Sequence, residues 1–128
     1  MRMVSAVGVF CGIVLLRIPL AAVESQVYHI AMEGSAPYYT PELATVPVGN
    51  PIQWDNQTAT DHTVTHKGCL TKKTCAFDSG SVPPRKSFSL SFLQPGTYPY
   101  YCRLHPLMRG TITVIEPKVS AGRMKIIE

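Results

Sequence analysis

Between positions 102 and 108 the chain sets a thiol, an imidazole and a thioether three residues apart, at Cys102, His105 and Met108. A soft thiolate, a thioether and an imidazole on one short loop suit copper better than any hard cation. One loop cannot enclose an ion by itself, so a further donor has to arrive from elsewhere. His62, in Asp61-His62-Thr63-Val64-Thr65, is the candidate. Two histidines and a cysteine in a trigonal plane, with a long axial methionine, form an arrangement that carries single electrons. The expected site is therefore His62, Cys102, His105 and Met108 around one mononuclear copper ion, used as Cu(II)/Cu(I). A lone methionine or cysteine is usually core packing, and it is the joint spacing that carries the argument. Zinc also accepts thiolate and imidazole, but a structural zinc site typically has two or more cysteines, and methionine serves zinc poorly.

A loop of this kind needs a rigid frame, and the rest of the chain reads as strands. Ser87-Phe88-Ser89-Leu90-Ser91-Phe92 alternates at period two, with Phe88, Leu90 and Phe92 facing a core. Further strands are expected over residues 27–32, 43–48, 51–56, 62–65, 98–102 and 111–115. The ligand loop joins the last two. Pro47 confines its strand to an edge or ends it, Trp54 is expected as a buried core plug, and 38–42 reads as irregular. In the short run from His62 to Thr65, His62 and Val64 would share one face and Thr63 and Thr65 the other. Residues 67–81 read as a long polar loop. No segment carries a helical period, so the expected architecture is an all-β sandwich.

The ends read differently from the middle. Arg2, the apolar run from 4 to 16 and the small residues Ala21, Ala22 and Ser25 have the order of a secretory signal, with cleavage after Ala22 or after Ser25. Arg17 cuts the apolar run below the ~18 residues of a membrane span, so removal is favoured over an uncleaved membrane tether. This divides the chain into a signal at 1–25, a domain at 26–116 and a tail at 117–128. The tail is a disordered end, an added edge strand or a contact segment, with disorder the default. Loss of Arg2, Arg17 and Glu24 lowers the formal net charge from +4 to +3, too mild and dispersed for nucleic acid. Lys67, Lys72 and Lys73 cluster, and Arg103 and Arg109 flank the ligand loop. They form a solvated face or, on the sharper reading, steer an acidic redox partner.

Three cysteines follow the signal, and an odd number in an exported chain marks one thiol with a separate task. Cys69 and Cys75 enclose a short turn-like segment and are the favoured disulfide, stable in an oxidising compartment. That leaves Cys102 for metal. Pairing Cys102 with Cys69 or with Cys75 is the rival assignment and would abolish the site. His29 and His66 read as ordinary histidines.

The motifs Ile52-Gln53-Trp54-Asp55-Asn56, Asp61-His62-Thr63-Val64-Thr65, Phe77-Asp78-Ser79-Gly80, Ser87-Phe88 and Pro95-Gly96-Thr97-Tyr98 lead to Tyr101-Cys102 and on through Gly110-Thr111-Ile112-Thr113-Val114. In that order and spacing, across residues 52–114, they resemble the cupredoxin family of small blue copper proteins, which includes plastocyanin and amicyanin. The resemblance implies a Greek-key β-sandwich with one type 1 copper at one end, and carries over the ligands His62, Cys102, His105 and Met108. The short gaps on either side of His105 resemble the amicyanin loop. Thr63 stands where the family often has asparagine; its backbone amide can still reach the cysteine sulfur.

The functional reading that follows is a blue copper protein shuttling single electrons between redox partners. A copper storage or delivery protein is the alternative, and a non-catalytic interaction module is the third class. Four protein donors leave no open position for a substrate, so no enzyme activity is expected. Partners are redox proteins docking transiently near His105, Pro106 and Leu107, on a monomer located in the periplasm or on the outer face of the cell membrane.

Overall fold

Period-two burial accounts for the strands in a computed structural model that describes residues 25–71 and 74–117. The expected signal up to residue 24, the tail from residue 118 and Lys72 and Lys73 lie outside the described residues. In order, the strands are β1 (Tyr28–Met32), β2 (Tyr39–Thr40), β3 (Leu43–Pro47), β4 (Pro51–Asn56), β5 (Thr65–His66), β6 (Ser87–Ser91), β7 (Gly96–Tyr101) and β8 (Arg109–Ile115). They form two four-stranded sheets, ordered β2-β1-β4-β6 and β3-β8-β7-β5. The chain changes sheet at every connection from β2 to β7, giving the expected sandwich. β7 and β8 pair antiparallel from Gly96↔Val114 to Tyr101↔Arg109, so the ligand loop is the connection at one end of this ladder.

Inward residues recur every second position: Ile52, Trp54 and Asn56 on β4, Ala44 and Val46 on β3, and Gly110, Ile112 and Val114 on β8. Trp54 is fully buried as expected, with its ring 5.7 Å from both Phe88 and Tyr100. Each fully buried isoleucine contributes roughly 1.5–3 kcal/mol on leaving water. Ile30, Ile52 and Ile112 therefore outweigh an exposed pair such as His29–Asp55, whose class contributes about 0–1 kcal/mol. Pro47 ends β3, which is an edge strand. β6 keeps the expected phase, yet Phe88 and Leu90 are only half-buried because β6 is also an edge; Phe92, just beyond it, is buried.

Three expectations need correction. Residues 38–42 are not wholly irregular, because Tyr39 and Thr40 pair with Met32 and Ala31, and Tyr39 is fully buried. The strand expected over 62–65 shrinks to Thr65–His66, and His62 keeps only an isolated bridge to Val82. All four residues from His62 to Thr65 are buried, so no alternation exists. The amides of Thr63 and Val64 go to the Cys102 sulfur and the Ser79 hydroxyl instead of to a neighbouring strand. Finally, the loop after residue 66 opens with a 3-10 turn at Lys67–Leu70. Cys69 and Cys75 form the expected disulfide, and Cys102 is the free, buried cysteine among the described residues.

Candidate metal centre

Cys102 follows the end of β7 and Met108 precedes β8. The loop between them is closed by backbone bonds from Cys102 N to the Met108 carbonyl (3.1 Å) and from Met108 N to the His105 carbonyl (2.9 Å). His62 comes from the other side, held in register by reciprocal bonds with Val82 at 3.2 and 2.8 Å. The Cys102 Sγ lies 3.8 Å from His62 Nδ1 and 3.7 Å from His105 Nδ1, and the two nitrogens are 3.0 Å apart. A triangle with those sides has a circumradius of about 2.0 Å, close to the ~2.0–2.3 Å of bonds from zinc to imidazole and thiolate. Met108 is buried and lines the same hollow of about 380 Å³ as His62 and His105. All four predicted residues thus come together, while His29 and His66 are engaged elsewhere, with Asp55 and with the Ala76 amide.

The tautomer of His62 follows from its neighbours. Its Nε2 is 2.8 Å from the Thr58 hydroxyl. That hydroxyl gives its own proton to Asn56 Oδ1 (2.8 Å) or the Thr60 carbonyl (3.0 Å), neither of which can donate. With its proton so placed, Thr58 accepts from His62 Nε2–H, which leaves Nδ1 bare toward the sulfur. Asn56 is fixed in turn, its amide donating to the Thr60 and Val82 carbonyls at 2.8 Å each. A bare Nδ1 facing a second imidazole nitrogen at 3.0 Å calls for a cation or a proton between them. Burial, and next the neighbouring His105, hold His62 below the ordinary imidazole range, with Asp61 pulling the other way. A neutral imidazole is the form that ligates.

Thr63 ties the two ligand segments together. Its amide donates to Cys102 Sγ at 3.3 Å, as the backbone reading anticipated. Its hydroxyl also accepts from the Arg103 amide at 2.9 Å, and its carbonyl accepts from the Tyr39 hydroxyl at 2.5 Å. Burial, then the charges of Cys102 and Tyr100, push the Tyr39 phenol far up, so it remains a donor. Sequence reasoning missed Thr58, Thr65 and Tyr39, whose roles depend on where loops cross. Arg103 is not simply solvated: its guanidinium pairs with Asp78. Arg109 donates to the Pro106 carbonyl at 3.1 Å.

Exposure divides the site. His62, Cys102 and Met108 are buried, whereas His105 is exposed between Leu104 and Leu107, which are 56% and 78% exposed. The loop leaves through Gly110, where an added Cβ would run into the buried Tyr100 ring.

A family model described as "Cupredoxin-like domain" matches residues 7–114. Among curated proteins, amicyanin from Paracoccus denitrificans is 38% identical over 77 residues, covering 60% of this chain. The match spans only 57% of that relative's length. Among solved structures, a Cu(I) form of an amicyanin methionine-to-alanine mutant is 26% identical with a TM-score of 0.62, covering 74% of this chain and 88% of that one. A purple cupredoxin from Nitrosopumilus maritimus is 24% identical with a TM-score of 0.59, covering 69% and 99%, and shares the fold.

Proposed function

The chain belongs to the cupredoxin-like family, and on that premise we propose that it carries single electrons through one type 1 copper held by His62, Cys102, His105 and Met108. The observation that supports this most directly is the convergence of His62 Nδ1, His105 Nδ1 and Cys102 Sγ, all within 4.8 Å of one another, on a scaffold like that of amicyanin. Bound copper supplies a Cu(II)/Cu(I) couple. What the chain supplies is a frame that changes little between the two states. Cys102 is tethered through Thr63 N–H, His62 through Thr58, and the loop through its own backbone bonds. Hydrogen bonds to the sulfur and the apolar surroundings tune the potential. With four protein donors there is no open position for a substrate, which argues against enzyme activity.

Deep burial of His62 (4% exposed), Cys102 (0%) and Met108 (2%) favours retention of the metal over delivery. Electrons would enter or leave through the exposed His105, with Leu104, Pro106 and Leu107 excluding water and docking a redox partner transiently. The domain at 26–116 would act as a monomer after removal of residues 1–25, in the periplasm or on the outer face of the cell membrane. The Cys69–Cys75 disulfide supports an oxidising compartment. The test is the optical and paramagnetic-resonance spectrum of copper-loaded protein beside Cys102→Ser. An intense visible sulfur-to-copper band lost in the variant is expected; a colourless, zinc-containing wild type would refute the reading.

A further inference from the structure

Cys102 and His62 belong to separate segments, so their separation depends on whatever links those segments. The β5–β7 ladder joins them at the backbone through Thr65↔Tyr101; the side-chain links run through Thr63, and the hydrogen bonds behind Thr63 do not stop there. Thr63 Oγ1 lies 2.9 Å from Thr65 Oγ1, which lies 3.1 Å from Asp78 Oδ1. An ionised carboxylate only accepts, so the Thr65 hydroxyl spends its single proton on Asp78. The proton between the two threonines is then that of Thr63, whose oxygen is left to accept from the Arg103 amide at 2.9 Å. Every donor points the same way, from the Arg103 amide to the Asp78 carboxylate. The Arg103 guanidinium then returns to the other oxygen of that carboxylate, and Gly80 N holds Oδ1 at 3.1 Å.

We propose that this closed circuit, from the Arg103 amide through Thr63, Thr65 and Asp78 back to the Arg103 side chain, is a positioning device. It sets the sulfur of Cys102 against the amide of Thr63. Its consequence for the metal rests on the copper reading above; its existence does not. Thr65 is fully buried and Thr63 nearly so, and aligned donors in a low-dielectric interior reinforce one another. The Asp78–Arg103 pair lies at the rim, with side chains 23% and 53% exposed. Such a pair contributes little by itself; its part here is to orient the carboxylate. Because the amide of Thr63 is the donor to the sulfur, a Thr63 released from the circuit changes the hydrogen bond that tunes a thiolate ligand. Thr65, Asp78 and the Arg103 side chain thus act on the site through Thr63, without touching it.

The experiment compares wild type, Thr65→Val, Asp78→Ala, the conservative Thr65→Ser, and Ile30→Val as a remote core control. Amide hydrogen exchange of Arg103 is read on reduced, copper-loaded protein, and the sulfur-to-copper band and reduction potential on the same samples. Thr65→Val and Asp78→Ala are expected to speed Arg103 exchange roughly five- to tenfold, the equivalent of one net hydrogen bond. Both should shift the band and the potential, whereas Thr65→Ser retains wild-type values and Ile30→Val lowers stability without moving the band. A band and exchange rate unchanged in both Thr65→Val and Asp78→Ala overturns the proposal. Faster exchange with an unmoved band overturns the positioning role. If Thr65→Val does not fold, Asp78→Ala at the rim decides. A wild type without the band sinks the copper reading and the positioning role with it, while Arg103 exchange on metal-free protein still reports whether the circuit forms.

Discussion

Thr58 offers a direct test of how the buried histidine is held. Thr58→Val keeps the shape of the side chain and removes the oxygen that accepts His62 Nε2–H at 2.8 Å. Losing the partner of a ligating histidine typically lowers metal affinity about 10- to 100-fold. Two details of the structure place this case at the lower end. The Thr60 hydroxyl already lies 3.3 Å from the same nitrogen and can take over the proton. Asn56 Oδ1, which also loses a donor, still accepts from the Thr58 amide at 3.0 Å. The expected loss in Cu(I) affinity is therefore about tenfold for Thr58→Val, near 1.4 kcal/mol, and approaches 100-fold only when Thr60→Val is added. Competition against a chromophoric Cu(I) chelator measures both. An affinity within twofold of wild type in the double variant would show that His62 is not held through Nε2, and the tautomer argument would fall.

Gly110→Ala forces a methyl group against the buried Tyr100 ring, and an overpacking cost of about 1–3 kcal/mol is expected in urea unfolding; a loss below a few tenths would count against the packing. Leu107→Lys places a charge on the exposed apolar rim and should slow electron transfer to partners while the optical spectrum stays unchanged; equal rates with every partner tried would refute the docking surface. Replacing Cys69 and Cys75 together by serine opens a short loop, which the loop-entropy relation values at about 2 kcal/mol; stability should fall with the copper band intact, since the staple lies outside the ligand set. For Asp55, partial burial raises the carboxyl pKa, but hydrogen bonds from Ser87, His29 and Gln53 outweigh it and hold the group below the ordinary 3.8. A depressed folded pKa means that the stabilisation is complete above the unfolded value and fades as pH falls through the folded one. Asp55→Asn should accordingly flatten the acid limb of the stability profile below pH ~4, and an unchanged limb would assign acid unfolding to other carboxyls.

Local pattern carried much of the fold. Alternation at Ile52 and Trp54 and at Phe88 and Leu90 foretold strands and their inward faces, because side-chain direction in a strand repeats every two residues. Failure came where the backbone stops pairing with backbone. Thr63 and Val64 look like strand residues, yet their amides are claimed by a sulfur and a serine hydroxyl. Tyr39 sits among turn residues and still fills the core, because its hydroxyl has a carbonyl to reach across 24 positions of chain.

The candidate ligands were legible because coordination chemistry restricts both residue type and spacing, and three of the four lie within seven residues. Counted beyond the expected signal, three cysteines also left one thiol without a disulfide partner within the chain. What it did not contain is the state of each donor. That His62 presents Nδ1 and not Nε2, and that the donors run one way from the Arg103 amide through Thr63 and Thr65 to the Asp78 carboxylate, depends on atoms brought together from distant positions. Spacing along a chain is a local quantity, whereas a hydrogen bond's direction is decided by every neighbour its two partners have, and only folding supplies those neighbours.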